Sequence, residues 1–186
     1  MTEEARLEVI TDGVAPVTEG WFIVNAADAQ WIRHPHFGWQ CVFEASGAVT
    51  RRREDLQRVT FPQLGINLAV LERGKSKGLY HREGQQEGFL VVRGECLLLV
   101  EGQERPLRRW DFFHSPPGTE HVFVGTSDEP CVLLCVGARL GYPGLFYPRA
   151  EVALRHGAAA DAETSSGAEA YAPHGHWQPA PYPGLL

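Results

Sequence analysis

No stretch of this sequence approaches the roughly 20 consecutive apolar residues that a membrane-spanning helix needs. Its first ten residues, MTEEARLEVI, are acidic and lack the apolar run of a secretory leader. The expectation is a soluble, cytoplasmic protein with no membrane partner. Basic charge is scarce as well: 17 Lys and Arg face 23 Asp and Glu, for a net charge of -6 and a pI near 5.7. A nucleic-acid-binding domain would normally show a basic face and a high pI, so no nucleic-acid partner is expected. The one basic cluster, Arg51 to Arg53, runs straight into Glu54 and Asp55 and reads as an exposed turn. Lysine is confined to Lys75 and Lys77 against many arginines, a bias associated with GC-rich bacterial genomes. Cys41, Cys96, Cys131 and Cys135 lack the paired spacing of a zinc knuckle or a disulfide scaffold and read as buried thiols.

What is present is enough apolar material, 44% of 186 residues, for one well-packed core with extensions. The middle of the chain reads as short strands broken by turns. In INLAVLE (66–72), Ile66, Leu68 and Val70 share one face, and FLVVRGECLLLV (89–100) is two apolar runs hinged at Gly94. EGQE (101–104) is a hairpin turn, a strand is expected from Leu107 through Phe113, and SPPGTE (115–120) is a turn by its Pro and Gly content. His121 to Val124 and Cys131 to Val136 complete the series. Strands at this spacing, with no long helical pattern between them, indicate an all-β antiparallel sandwich or barrel.

Three segments are expected: 1–20 as an N-terminal segment, 21–147 as the β-domain with its core at 62–137, and 148–186 as a helix, linker and arm. Trp21 to Phe43 is aromatic-rich and should add a strand or two to the sheet. Its HPH at 34–36 reads as a loop and not as a metal site. Pro148 opens, and Gly157 closes, a short helical pattern. AAADAETSSGAEA (158–170) reads as a flexible linker, and the Pro- and aromatic-rich end as an arm that docks on this subunit or a neighbour. HGH at 174–176 lacks the preorganised geometry a metal site requires.

The chemistry concentrates in HREGQQEGFLVVRG (81–94). Alternate strand residues share a face, so His81 and Glu83 point one way. Gly84, Gln85 and Gln86 permit a bend that returns Glu87 to the same centre. His121, which follows the tight turn at 116–118 and opens a strand, is the candidate fourth ligand. Imidazole with carboxylate suits one divalent ion, Zn, Mn, Fe or Ni. Left unpaired inside an apolar β-domain, the same carboxylates would cost several kcal/mol. Tyr80, of opposite parity, should be core. Trp110 and Phe112 read as packing and His114 as a surface or packed histidine, while Asn67 and Glu72 are within reach of the cavity.

These residues resemble the two motifs of the cupin superfamily, G(x)5HxH(x)3-4E(x)6G and G(x)5PxG(x)2H(x)3N. The first is met by His81, Glu87 and Gly94, with Glu83 where the second histidine belongs and Lys75 where the leading glycine does. The second is met by Pro116, Gly118 and His121, with Trp110 and Gly125 in place of its first glycine and its asparagine. The resemblance implies a cupin-type jelly roll, or double-stranded β-helix barrel, holding a divalent metal. It leaves the reaction open, since cupins include isomerases, dioxygenases, decarboxylases, epimerases and binding proteins.

Glu83 decides among three readings. His81, Glu83, Glu87 and His121 all bind the ion and neutralise it; or Glu83 stays off it as a general base beside a His81, Glu87 and His121 triad; or the site holds no metal. The function that follows is a metal-dependent enzyme, isomerase- or dioxygenase-like, acting on a small polar molecule. The alternative is a non-catalytic small-molecule binding or sensing protein with a structural or absent metal. A homodimer, paired through a sheet edge or an exchanged strand, is also expected.

Overall fold

The computed structural model describes residues 3–50 and 58–184; the cluster Arg51 to Asp55 lies outside the described residues. Runs of β-branched and aromatic residues, punctuated by Gly, Pro and Asp, become twelve short strands among the described residues. In chain order they are β1 (Leu7–Val9), β2 (Val14–Pro16), β3 (Trp31–His34), β4 (Gly38–Val42), β5 (Leu64–Leu71), β6 (Glu87–Arg93) and β7 (Glu95–Val100). There follow β8 (Gln103–Arg108), β9 (Phe112–Ser115), β10 (His121–Gly125), β11 (Cys131–Ala138) and β12 (Gln178–Ala180). Three short α-helices among the described residues, α1 (Gly47–Thr50), α2 (Glu151–Arg155) and α3 (Gly167–Tyr171), lie at the periphery.

The strands form a seven-stranded sheet, β12-β3-β4-β5-β11-β6-β9, facing a three-stranded sheet, β10-β7-β8, with β1 and β2 as a separate hairpin. Every ladder among the described residues is antiparallel. Among these residues no ladder joins the two large sheets, so the architecture is a jelly-roll sandwich and the expected closed barrel is not seen. Between the sheets lie Ala69, Leu71, Phe89, Val91, Leu98, Phe123, Leu133 and three of the cysteines, all buried. All four cysteines are free thiols, and burial drives the pKa of Cys41 up to about 12.

The apolar set Ile66, Leu68 and Val70 lies on the opposite face of β5 from that core. Val70 is buried with Trp31, Cys41 and Val132, and Leu68 and Trp39 pack against this group. The C-terminal half of the strand is covered on both faces, and its inner face carries Asn67, Ala69 and Leu71.

The segment expected as one strand from Leu107 to Phe113 is two, because Trp110 adopts a left-handed φ of 75° and turns the chain between β8 and β9. Trp110 and Phe112 are 60% and 65% exposed and do not pack the core; β9 parity turns Phe113 inward instead. The linker expected over 158–170 is ordered. Ser166 caps α3 by accepting the Glu169 N–H, and Ala158, Ala160 and Ala170 are buried. The arm returns to its own chain as β12, paired with the edge of β3.

Candidate metal centre

The site lies at the end of the inter-sheet space where β10 meets residues 81–82. His81 and His121 form a hydrogen-bonded antiparallel pair, His121 N–H donating to His81 O at 2.8 Å and His81 N–H to His121 O at 3.2 Å. Side chains of such a pair share one face, so the two imidazoles lie with centroids 5.3 Å apart. Each ring is oriented by its backbone. Nδ1 of His81 meets Leu79 O at 2.8 Å, and Nδ1 of His121 meets Thr119 O at 3.1 Å. A carbonyl only accepts, so both rings carry the proton on Nδ1 and present the Nε2 lone pair to the centre.

The carboxylates arrive through the bend. Gly84 is required there: a Cβ on it would lie 1.9 Å from Pro143 O, so only glycine lets the 142–144 loop cross the chain. Glu87, the first residue of β6, then turns back beside Glu83. Ligand atoms of His81, Glu83 and Glu87 all lie within 4.8 Å of one another. His81 Nε2 is 3.6 Å from Glu83 Oε1, and His121 Nε2 is 3.4 Å from Glu87 Oε2. His121 is deepest, its side chain 2% exposed, whereas that of Glu83 is 36% exposed at the mouth.

Burial and proximity push the two carboxyls apart. The adjacent His81 ring holds Glu83 below the usual carboxylate range, while desolvation and the Glu83 charge raise Glu87 to about 7. Desolvation, then the neighbouring His81, depresses His121 to about 4. The contact between Glu87 and His121 is therefore no ion pair, since each environment favours the neutral form. Two inward lone pairs and a buried carboxyl held near neutrality are what a divalent cation would relieve, and the donor set fits one.

A cavity of about 260 Å³ adjoins this cluster, lined among others by Asn67, Lys77, Glu83, Gln85, Glu87 and Cys135. A larger surface cleft, about 730 Å³ around Arg93, Glu95 and Arg108, holds none of the cluster. Tyr147 stacks on His81 at 5.5 Å, and Tyr171, brought in by α3, packs edge-on against Tyr147 and accepts the Leu79 N–H at 3.0 Å. Neither tyrosine was recognisable as a site residue in the sequence, since nothing along the chain reports where the segments carrying Tyr147 and Tyr171 dock. Lys77 and Cys135 were equally silent, although Lys77 sits only four residues before His81.

His114 faces outward on β9, and Glu72 does not reach the cavity, whereas Asn67 lines it. Tyr80 is fully buried, its hydroxyl accepting the Gly102 N–H. The HPH and HGH sequences meet, with the His36 and His174 rings 5.4 Å apart and Trp177 against His34. Among the described residues, however, only His81, Glu83 and Glu87 form a mutually close set of three ligating side chains.

A two-sheet β-fold with imidazoles and carboxylates at one end of its interior is the arrangement that the resemblance to the cupin superfamily implies. Residues 67–137 match the family model described as a cupin domain. Among solved structures the chain is similar to a provisionally assigned sugar phosphate isomerase from Acidithiobacillus ferrooxidans, at 28% identity and a TM-score of 0.42 over 45% of this chain and 54% of that one. It is similar also to a Cupin 2 conserved barrel domain protein from Salinispora arenicola, at 28% identity and a TM-score of 0.38 over 42% of this chain and 65% of that one. The DMSP lyase DddQ from Ruegeria pomeroyi matches at 22% identity and a TM-score of 0.39, over 46% and 43% of the two chains. The match thus spans less than two thirds of each of these three structures. No curated protein matches.

Proposed function

We propose that this protein binds one divalent metal, Zn, Mn, Fe or Ni, through His81, Glu83, Glu87 and His121, and is an enzyme acting on a small polar molecule by isomerase- or dioxygenase-like chemistry. The observation that carries this reading is the cluster of His81, Glu83 and Glu87, whose ligand atoms lie within 4.8 Å of one another, with His121 Nε2 3.4 Å from Glu87 Oε2, beside a polar cavity. When bound, the ion supplies Lewis-acid polarisation of a substrate oxygen. The chain does the rest. Leu79 O and Thr119 O hold the rings in register, the apolar wall of Phe89, Phe113 and Phe123 around His121 excludes water, and Tyr147 fixes the plane of His81.

Glu83 has two roles open to it. Ionised and at the mouth, it serves either as a ligand or as the base that takes a proton from a bound substrate. Elemental analysis of untagged wild type, Glu83→Ala and His121→Ala separates them. Stoichiometric metal in wild type and its loss in His121→Ala are expected. Full occupancy in Glu83→Ala assigns Glu83 as the base, and a wild type that takes up no metal overturns the proposal. Metal binding without turnover of any polar substrate would favour a binding or sensing role.

A homodimer belongs to the same proposal. Leu64, Leu90, Phe112, Leu134 and Val136 line an outward-facing apolar cleft on the seven-stranded sheet, a surface a second copy would cover.

A further inference from the structure

Two cations line the cavity beside the candidate metal centre, and they differ in one respect. Arg139 is committed: its guanidinium grips Glu44 at 2.7 and 2.9 Å and also donates to Phe61 O. Lys77 is not. Its backbone N–H is bonded to Phe123 O, but among the described residues no hydrogen bond or ion pair engages its ammonium. In the lining of the same cavity, on β5, the buried Asn67 Oδ1 has no donor among the described residues. Gln85 uses its carbonyl to accept the Leu140 N–H, which leaves the amide NH2 as a donor at the same wall. A buried acceptor without a partner is unfavourable, and a ligand N–H or O–H would satisfy it.

We propose that Lys77, Asn67 and Gln85 form a subsite for a small hydroxycarboxylate monoanion, its carboxylate on Lys77 and its hydroxyl donating to Asn67 Oδ1. The inference rests on the metal reading above and names the substrate class for it. Two carboxylates cancel the charge of a divalent ion, so Lys77 leaves the loaded centre with one net positive charge. A monoanion balances it, whereas a phosphate dianion would leave excess negative charge in a half-buried space. The cavity, about 260 Å³, lies just below the usual range for ligand sites and has room for a compact metabolite only.

The test is calorimetric titration of manganese-loaded and of chelator-treated protein with lactate, lactamide and propionate, using wild type, Lys77→Met, Lys77→Arg and Asn67→Ala. Lactate is expected to bind loaded wild type at least about tenfold more tightly than uncharged lactamide. Lys77→Met should abolish that preference with metal content unchanged, and Lys77→Arg should restore part of it. Asn67→Ala should erase the preference for lactate over propionate. Equal binding of lactate and lactamide, or lactate binding untouched in Lys77→Met, overturns the inference while leaving the metal proposal standing. If wild type takes up no metal, the metal proposal fails on its own. The chelator-treated titration then decides the subsite: Lys77-dependent lactate binding keeps it, and no binding ends it.

Discussion

Glu87 shows how a single residue is set at odds with the fold that holds it. Its carboxyl, 16% exposed and beside Glu83, has its pKa raised from 4.5 to about 7. A folded-state pKa above the unfolded one contributes stability that is full below pH 4.5 and is lost as pH rises through about 7. Glu87→Gln removes that loss. Urea denaturation of chelator-treated protein should therefore show Glu87→Gln gaining on wild type between pH 5 and pH 8 by up to about 3 kcal/mol, since each tenfold change in proton affinity is worth about 1.4 kcal/mol. His121, depressed to about 4, contributes the opposite slope between about pH 6.5 and 4, but it is common to both proteins and cancels in the comparison. A gap that does not widen with pH would show that Glu87 is solvated. The same substitution should cost metal binding, the usual conflict between a site and the stability around it.

The elements matter through the bend that delivers Glu83 and Glu87 together. That bend depends on the 142–144 loop lying directly against Gly84, from about sixty residues further along the chain. Gly84→Ala forces the loop away and should destabilise the protein by roughly 2 kcal/mol or more. Metal content should fall with it, because Glu83 and Glu87 flank the displaced backbone. Unchanged melting and unchanged metal in Gly84→Ala would mean that the crossing is not needed. The strands themselves were legible: β6, β7, β10 and β11 begin and end within two residues of where apolar runs and turn residues place them, and Gly94 with φ 68° is the hinge between β6 and β7. The β8–β9 turn was not, since Trp110 carries the left-handed φ that Gly or Asn would ordinarily announce. Nor was α3, a five-residue helix in a small-residue stretch, whose stability comes from burying Ala170 rather than from helix propensity.

At the scale of the whole molecule, metal binding and folding should be linked. A divalent ion at one hundred times its dissociation constant adds about 2.7 kcal/mol to the folded state. For a chain of this size that raises the melting temperature by roughly 5–10 °C. Differential scanning fluorimetry with Mn, Zn, Fe(II) and Ni should show this shift for wild type, chelator should reverse it, and His121→Ala should not respond. No shift with any of the four would count against a structural or catalytic ion. Sedimentation velocity at micromolar concentration should give a dimer that Phe112→Asp converts to monomer, and a monodisperse wild-type monomer would sink the dimer proposal. Among the described residues no helix is long and apolar enough to cross a membrane.

The sequence by itself determined what depends on neighbours along the chain: the strand periodicity, the Gly94 and Gly102 turns, and the spacing that sets His81, Glu83 and Glu87 around a bend. Tertiary structure alone decided what depends on distant segments meeting. It placed Tyr147 on His81 and Tyr171 against Tyr147, and among the described residues it left the Lys77 ammonium without a hydrogen bond or ion pair while Arg139 was taken by Glu44. It also turned the apolar alternation of β5 away from the inter-sheet core and put Asn67 on the inner face, beside the cavity. The reason is physical: periodicity says that a strand has two faces, but which face meets the cavity is settled by what the rest of the chain packs against the other.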